Sequence, residues 1–244
     1  MGACVTPLPD PADAAVSAAG WADRLAGASP HAVIAAAAAG FAGRIAAVSS
    51  FGTESAVLLH LIAEVDPALP VVFLDTGMLF AETLAYRDAL VARLGLADVR
   101  TIHPDPADKA AQDPDDALWA ENPDACCALR KVIPLARALG PFEAWINGRK
   151  RYQATTRTAL ALAEADGPRV KFNPLASFSR ADIAAYMAAH DLPPHPLEKF
   201  GFASIGCMPC TSRVQPGEDP RAGRWRGQAK TECGIHIAPS TFIP

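Results

Sequence analysis

The sequence predicts an α/β fold in which a parallel twisted sheet carries helices on both faces. The first observation is that short apolar runs, typical of buried strands, alternate with longer segments whose apolar residues recur at helical spacing. Strands that alternate with helices in this way form parallel sheets with right-handed crossovers. The second observation is size, because 244 residues, 50% of them hydrophobic, suffice for one sizeable domain or for a domain with a smaller appendage.

The predicted elements follow one another along the chain. Residues 11–43 are alanine-rich and predict helices, with Ser29 and Pro30 at a helix start. The predicted strands are RIAAVSSF (44–51), LPVVFLDTG (69–77), ADVRTIHP (97–104), FEAWING (142–148) and VKFNPLAS (170–177). The later predicted helices are SAVLLHLIAEV (55–65), AETLAYRDALVARLG (81–95), CCALRKVIPLARALG (126–140) and SRADIAAYMAAHDL (179–192). From residue 193 onward the chain is rich in proline, glycine and basic residues, which predicts loops lying over the domain.

Composition and charge argue against several classes of protein. The formal net charge of −4 is unlike that of a general nucleic-acid-binding protein. No stretch has the ~20 apolar residues that a membrane-spanning helix needs, and no signal peptide is visible. We therefore expect a cytoplasmic protein with neither a membrane nor a nucleic acid as partner. In a reducing compartment, paired cysteines are more often metal ligands or redox catalysts than disulfides.

The segment SSFGTES (49–55) is predicted to connect a strand to a helix. Its glycine allows close approach of a ligand to the backbone, and the free N–H groups of the helix start favour an anion. Ligands of open parallel sheets bind at the carboxyl ends of the strands, so the residues that end the second predicted strand are expected to face the same crevice. The candidate nucleotide-binding residues are Ser49, Ser50, Gly52, Thr53, Asp75 and Thr76.

Four of the six cysteines occur as two tight pairs. Cys126 and Cys127 are adjacent, and Cys207 and Cys210 form a C-x-x-C. Four thiolates suit either a tetrahedral zinc ion or an iron–sulfur cluster. Adjacent cysteines on a helix point about 100° apart, which is awkward around one small ion but feasible around a larger cluster. The spacing therefore favours [4Fe–4S] and leaves zinc as the alternative.

Two basic clusters indicate an anionic ligand. The segment NGRKRYQATTR contains Arg149, Lys150, Arg151 and Arg157, and the segment RAGRWRGQAK contains Arg221, Arg224, Arg226 and Lys230. The planar guanidinium group matches the oxygen atoms of phosphate or sulfate, so these clusters are notable in an acidic chain. Lys131 lies four residues after Cys127, one turn of the predicted helix away, and is expected to reach both the sulfur atoms and the anion.

A fifth cysteine, Cys233, lies in the segment KTECGIH near the C-terminus. It is predicted to be a nucleophilic thiol rather than a buried structural cysteine, because its neighbours are polar. Nearby cations lower a thiol pKa, and His236 and the arginines of the second basic cluster are expected to act in this way. Glu232 would act in the opposite direction, so we expect its side chain to point away from the sulfur.

Taken together, these motifs resemble one known family. The stretches that carry the resemblance are SSFGTES, LDTGMLFAET, CCALRKVIPL, NGRKRYQATTR, KFNPLASFS, LPPHPLEKFGFASIGCMPCTSRVQPGEDPRAGRW and KTECGIH. They are similar to the assimilatory adenylyl-sulfate and phosphoadenylyl-sulfate reductases, which have the adenine-nucleotide α-hydrolase-like (PP-loop) fold. The double cysteine with the C-x-x-C resembles the branch that carries a [4Fe–4S] cluster and typically reduces adenylyl sulfate. Lys150 departs from the family, which commonly has arginine at this position.

The resemblance implies a role for each motif. The implied cluster ligands are Cys126, Cys127, Cys207 and Cys210. The residues implied to face the phosphosulfate are Lys131, Arg221 and Arg224, with Cys233 as nucleophile and His236 near it. Arg151 and Arg157 are assigned to the nucleotide site. Residues 1–200 would form the PP-loop nucleotide-binding domain with an N-terminal helical arm, and residues 201–244 a dependent segment that binds the cluster and carries the nucleophile.

The implied reaction reduces adenylyl sulfate to sulfite and AMP, in sulfate assimilation and cysteine biosynthesis. It would pass through an S-sulfocysteine intermediate that thioredoxin or glutaredoxin resolves, and a homo-oligomer is expected because such relatives often form dimers or tetramers. The alternatives are the same reaction on 3′-phosphoadenylyl sulfate, a PP-loop sulfur transferase acting on tRNA, and a cluster-bearing redox sensor. The acidic charge and the fifth cysteine disfavour the transferase, and a sensor would leave the nucleotide loop unused.

Overall fold

Six strands form a single sheet in the computed structural model, which describes residues 10–236. The strands are β1 (Ile45–Val48), β2 (Val71–Leu74), β3 (Val99–Ile102), β4 (Ala144–Ile146), β5 (Ala163–Asp166) and β6 (Arg169–Phe172). The helices are α1 (Pro11–Arg24), α2 (Pro30–Gly40), α3 (Ser55–Val65), α4 (Ala81–Leu94), α5 (Pro106–Gln112), α6 (Leu118–Glu121), α7 (Pro123–Cys127), α8 (Ile133–Ala138) and α9 (Arg180–Ala189). The strand order is β3-β2-β1-β4-β6-β5, and every neighbouring pair is parallel except β5 with β6.

The central strand β1 shows why helices cover both faces of the sheet. Successive side chains of a strand point to opposite faces. Ile45 and Ala47 pack into the larger core, which includes buried residues of α2 and α3, whereas Ala46 and Val48 pack with Leu135 of α8 in a second core. A strand that is buried on both faces reads as a continuous apolar run, as this one does. The predicted α/β fold class is confirmed.

The edge strand β5 was not predicted from the sequence. Its sequence AEAD contains no β-branched or aromatic residue, so it carries no strand signal. It forms because the chain reverses at Gly167, whose φ of 58° is left-handed, and then pairs in register with β6. Trp145 Nε1 also donates a hydrogen bond to Asp166 Oδ2 at 2.9 Å. Tertiary contacts therefore override the weak local preference of this segment.

The helix predicted over residues 126–140 is not a single regular helix. A π-helical turn at Ala128–Val132 separates α7 from α8. Pro134 explains the change, because proline cannot donate to the carbonyl four residues earlier and its ring crowds that carbonyl. The widened turn carries Lys131 and lies directly after Cys127. Such π-turns are frequent at functional sites.

The C-terminal part of the described chain is held to the sheet domain by short contacts. Residues 201–236 form turns, one 3₁₀ turn at Met208–Cys210 and isolated bridges, in agreement with the predicted loops. One antiparallel bridge joins Leu79, which precedes α4, to Cys207. Within residues 10–236, no helix is long and apolar enough to cross a membrane. Residues 1–9, which include Cys4, and residues 237–244 lie outside the described part of the chain.

Because His195 is buried, we expect the fold to lose stability in mild acid. Its Nδ1 accepts a hydrogen bond from Leu197 N at 3.2 Å, its Nε2 lies 3.1 Å from Thr83 Oγ1, and burial lowers its pKa to about 4. The unfolded chain would bind this proton near pH 6.5, so the stabilisation is present above that pH and is lost as the pH falls towards 4. Protonation of His195 alone should lower the free energy of unfolding by about 3 kcal/mol as the pH falls from 7 towards 4.

Urea unfolding at pH 7 and at pH 4.5 would measure this loss. His195→Gln serves as the comparison, because glutamine can hydrogen-bond but does not titrate. We expect the variant to be less stable at pH 7 and to lose less stability on acidification than the wild type. Parallel pH profiles for the two proteins would show that His195 is not the group responsible.

Candidate active site

The loop between β1 and α3 is shaped by buried side chains rather than by glycine alone. Phe51 is fully buried with a left-handed φ of 49°, and its N–H donates to Ser49 Oγ at 3.2 Å. Thr53 Oγ1 donates to the carbonyl of Ala203 at 3.3 Å, so the loop is tied to the C-terminal segment. Glu54, the N-cap of α3, makes no side-chain cap, which leaves the N–H groups of the first turn available to an anion.

One cavity at this end of the sheet brings together most of the residues that the sequence singled out. The predicted residues that line it are Ser49, Ser50, Gly52, Thr53, Lys131, Arg157, Arg221, Arg224, Cys233 and His236. They come from the loop after β1, the π-turn, the segment after β4 and the C-terminal loops. Segments up to about 190 residues apart in sequence therefore meet at the carboxyl end of the sheet, where open α/β folds bind ligands.

Three predicted nucleotide-binding residues do not line this cavity. Asp75 caps its own turn by accepting a hydrogen bond from Gly77 N at 2.9 Å. Thr76 is fully buried, and its Oγ1 lies 3.2 Å from Cys207 Sγ. Arg151 is exposed and donates to the carbonyl of Leu160 at 2.9 Å. The turn after β2 thus directs Thr76 towards the paired cysteines, and Arg151 points away from the cavity.

Most cations of the cavity are already paired with carboxylates. Arg149 pairs with Glu164, and Lys150 Nζ lies 2.8 Å from Glu54 Oε2. By contrast, neither Lys131 nor Arg224 has a carboxylate partner within residues 10–236, and the oppositely charged groups near both are cysteine sulfurs. Lys131 and Arg224 are therefore the cations of this cavity that remain available to an anionic ligand.

Glu232, the residue before Cys233, is held by two arginines. Its carboxylate accepts hydrogen bonds from Arg157 Nε at 3.0 Å and from Arg157 Nη2 at 2.9 Å. Arg221 Nη2 also lies 3.3 Å from Glu232 Oε2. These ion pairs hold the backbone next to Cys233. They also partly neutralise Arg157, which was expected in the nucleotide site, and Arg221, which was expected to face the phosphosulfate.

His236 does not act as a cation near Cys233, contrary to the sequence-based expectation. Its ring stacks on Trp145 with centroids 5.6 Å apart and planes 1° from parallel. Burial, reinforced by the charge of Arg149, places the pKa of His236 well below its ordinary value. Its Nδ1 is buried without a hydrogen-bond partner in the described structure. A neutral imidazole cannot lower the thiol pKa by its charge, so this effect falls to Lys131 and Arg224.

The four paired cysteines converge from α7 and the C-terminal loops around a second, smaller cavity. Cys126, Cys127 and Cys207 are buried, Cys210 is half-buried, and all four are free thiols. Burial raises the pKa of Cys126 to about 12 and that of Cys127 to about 11. Such thiols ionise readily only when a metal compensates the charge. Four cysteine sulfurs around one cavity are a ligand set that thiolate metal centres use.

The distances between these sulfur atoms can be compared with those around a single zinc ion. Four thiolates around one zinc ion, each about 2.3 Å from it, would lie about 3.8 Å from one another. In residues 10–236, no three cysteine sulfurs lie within 4.8 Å of one another. The arrangement is thus wider than a zinc tetrahedron and suits a larger group.

Lys131 connects the two cavities. Its side chain lines both the cavity that contains Cys233 and the cavity between the paired cysteines. Burial acts to lower the pKa of Lys131, but the neighbouring cysteine sulfurs, Cys207 above all, raise it beyond its ordinary value. Lys131 therefore stays charged although it is enclosed. The lysine thus lies beside the cysteine sulfurs, as predicted from its spacing, and its contact with an anion stays a prediction.

Two residues were not predicted from the sequence: Glu54, which lines the cavity, and Trp145, which lies behind its His236. Glu54 accepts from Lys150, from Tyr152 Oη at 2.5 Å and from Gln153 at 2.8 Å, and so ties the segment after β4 to the start of α3. Trp145 provides the surface on which His236 stacks. Glu54 lies within the motif SSFGTES, so its position beside the loop was visible, although its partners were not. Trp145 carried no signal beyond that of a core aromatic residue.

Comparison with known proteins shows the family of this chain. The sequence profile described as the phosphoadenosine phosphosulfate reductase domain matches residues 44–213, about 70% of the chain. The chain belongs to this family. The match spans the loop after β1, the double cysteine and the C-x-x-C, so the two cavities lie within or beside the domain that defines the reductase family.

Curated relatives agree with this assignment. The chain is 59% identical over 192 residues to a protein of Mesorhizobium japonicum named adenosine 5′-phosphosulfate reductase, with 79% of this chain and 76% of that one covered. It is 44% identical over 217 residues to a protein of Gloeobacter violaceus named phosphoadenosine 5′-phosphosulfate reductase, with 85% and 88% covered. The family thus includes relatives named for both substrates.

Solved structures show the same fold. The phosphoadenylyl-sulfate reductase of Candida auris, crystallised as a phosphate complex, superposes with a TM-score of 0.68 at 26% identity, covering 81% of this chain and 96% of that one. The FMN adenylyltransferase of Candida glabrata superposes with a TM-score of 0.53 at 16% identity, covering 86% and 79%. The second likeness concerns the fold alone.

Proposed function

We propose that the chain is an adenylyl-sulfate reductase that converts adenylyl sulfate to sulfite and AMP. The observation that carries the proposal is the shared cavity, in which the thiol of Cys233 meets two cations, Lys131 and Arg224, and the anion-binding loop 49–53. A relative 59% identical bears the name adenosine 5′-phosphosulfate reductase. Because the acceptor is a sulfur bound to anionic oxygens, the reaction needs a sulfur nucleophile and positive charge in one place.

The substrate would be held through its charges. The phosphate and the sulfate of adenylyl sulfate each carry a negative charge. Among the described residues that line this cavity, Lys131 and Arg224 are the two cations without a carboxylate partner. Opposite charges about 4 Å apart attract by about 4 kcal/mol at an effective dielectric constant near 20. The same two cations offset the repulsion between an anionic thiolate and the anionic group that it attacks.

Cys233 would act as the nucleophile. Its thiolate attacks the sulfate sulfur, so a bond forms between the two sulfur atoms and the bond from that sulfur to the bridging oxygen breaks. AMP leaves with the electron pair of the broken bond, and an S-sulfocysteine remains on Cys233. Arg224 and Lys131 balance the charge at the reacting sulfur, and the ion pair of Glu232 with Arg157 holds the adjacent backbone in place.

A dithiol protein, thioredoxin or glutaredoxin, would complete the cycle. One of its thiolates attacks Cys233 Sγ, and sulfite leaves with the electron pair of the sulfur–sulfur bond. The second thiol then resolves the mixed disulfide, so the partner supplies both electrons. Cys233 is half-buried, and the segment that carries it consists of loops, which allows the approach of a partner after AMP has left.

Cys126, Cys127, Cys207 and Cys210 would hold a [4Fe–4S] cluster. When bound, this cluster would supply a charged centre that clamps the π-turn to the C-terminal loops and positions Lys131. Thr76 Oγ1, 3.2 Å from Cys207 Sγ, can donate a hydrogen bond to a ligating sulfur. We also propose the division into residues 1–200 and 201–244, a cytoplasmic location and a homo-oligomeric state, each of which remains a prediction.

The choice between adenylyl sulfate and its 3′-phosphorylated form tests the proposal. Two cations without a carboxylate partner match the two anionic groups of adenylyl sulfate. The 3′-phosphate would be a third anionic group, and it would have to displace Glu54 from Lys150 or Glu164 from Arg149. We therefore expect kcat/KM for adenylyl sulfate to be at least about tenfold higher than for the 3′-phosphorylated substrate. Sulfite release with each substrate, using a thioredoxin as reductant, measures the ratio. A ratio below one would assign the other substrate, and no sulfite from either would contradict the proposed activity.

Gly206 is expected to be required for the position of Arg224. A Cβ atom at Gly206 would collide with the guanidinium group of Arg224, which is the movable end of a flexible side chain. Gly206→Ala should therefore leave the fold intact but displace the cation, and kcat/KM should fall about 100-fold. Gly20→Ala, where an added Cβ meets no atom within 4 Å, is the control. Equal activity of the two variants would show that the position of Arg224 is not critical.

A further inference from the structure

A second cluster of potential metal ligands lies on the side of the domain formed by α3 and α9. His60 and Glu64 are one turn apart on α3, and His190 is the C-cap of α9. One ligand atom from each of the three residues lies within 4.8 Å of the others. None of these residues lines the cavity of Cys233 or the cavity of the paired cysteines. The reaction proposed above therefore gives this cluster no role.

The distances in this cluster suit a single transition-metal ion. Zinc binds imidazole nitrogen and carboxylate oxygen at about 2.0–2.2 Å, so two ligand atoms in a tetrahedral site lie about 3.4 Å apart. His60 Nδ1 and Glu64 Oε2 are 3.5 Å apart. The rings of His60 and His190 face each other with centroids 4.6 Å apart. The His190 ring is exposed and so free to rotate into the third ligand position, and water can fill the fourth.

A neighbouring tyrosine contacts all three residues. Tyr186 Oη lies 2.9 Å from His60 Nδ1 and donates to Glu64 Oε2 at 3.2 Å. Its ring also stacks on that of His190, with centroids 4.2 Å apart. Because this hydroxyl bonds the two atoms that would bind the ion, it must move aside when the ion binds. Arg93 pairs with Asp191 at 3.0 Å.

We propose that His60, Glu64 and His190 form a zinc site separate from the cysteine centre. Two imidazoles and one carboxylate are a ligand set that zinc uses, with a water molecule in the remaining position. The ion would join the C-terminal half of α3 to the end of α9. The N-terminus of α3 follows the anion-binding loop, so the site would also stabilise the helix on which that loop depends.

Zinc uptake by the intact protein tests the proposal. The protein is purified anaerobically with its metal centre, treated with a mild chelator and dialysed against Zn²⁺, and zinc and iron are then counted per chain. Glu64→Gln keeps the size of the side chain and removes the charge of the carboxylate ligand, and His190→Asn removes the imidazole nitrogens. His31→Asn, at an exposed histidine on α2, is the matched control.

We expect the wild type and His31→Asn to bind one zinc ion per chain with iron unchanged. Glu64→Gln and His190→Asn should bind it at least about 100-fold more weakly, because even loss of a group that supports a ligand costs 10- to 100-fold in affinity. Zinc uptake that is matched by iron loss, equal uptake by all variants, or no uptake by the wild type would overturn the proposal.

Discussion

Replacing Cys233 with serine is expected to abolish sulfite release. A serine hydroxyl is a far weaker nucleophile than a thiolate and cannot form the sulfur–sulfur bond of the intermediate, so the rate should fall by about four orders of magnitude or more. The fold should persist, because Cys233 is half-buried and serine is nearly the same size. Binding of adenylyl sulfate should also persist, since Lys131, Arg224 and loop 49–53 remain in place.

Two measurements separate the role of Cys233 from a general loss of function. Mass spectrometry of protein mixed with substrate, without reductant, should show a sulfonate adduct on Cys233 in the wild type and no adduct in the variant. Titration with AMP should give similar affinities for both proteins. Cys4→Ser, which changes a cysteine outside the predicted site, is the control and should behave like the wild type. An adduct on another residue, or sulfite release by Cys233→Ser, would show that the nucleophile has been misassigned.

The parts of the fold that the sequence predicted are those set by local pattern. Strand β1 is a continuous apolar run between polar ends, so its burial on both faces follows from composition alone. The strand β5 lacks such a signal because its four residues are alanine and acidic residues, and it exists only through its pairing with β6. The π-turn depends on Pro134, whose effect on the preceding turn was not predicted.

The sequence predicted which motifs meet at the candidate site, but it did not predict where their side chains point. The rule that ligands bind at the carboxyl ends of strands correctly brought together loop 49–53 and the basic segments. It failed for Thr76, because the bridge between Leu79 and Cys207 draws this turn towards the paired cysteines. The charge of His236 could not be inferred either, since it depends on burial against Trp145, which a sequence does not reveal.

Lys131→Met is expected to lower kcat/KM by up to about three orders of magnitude. Lys131 is one of two cations available to the substrate, and a charge pair worth about 4 kcal/mol corresponds to about a thousandfold in rate when it acts on the transition state. Methionine keeps the unbranched shape that fills the space between the two cavities and removes only the charge. Lys131→Arg keeps the charge and should recover part of the activity, although its planar group fits the enclosed position less well.

The same variant distinguishes a direct role of Lys131 from an indirect role through the metal centre, because its side chain lines both cavities. If the lysine acts on the substrate, Lys131→Met should retain its iron and its thermal stability while kcat/KM falls. If it mainly supports the centre, iron content and activity should fall together, and the assignment of Lys131 to the substrate would be wrong. Lys199→Met, at an exposed lysine outside both cavities, controls for the loss of a positive charge as such. If the role is direct, the ratio of the wild-type kcat/KM to that of Lys131→Met should also decrease at high salt. Salt weakens the attraction between Lys131 and the substrate in the wild type, whereas the variant lacks this attraction.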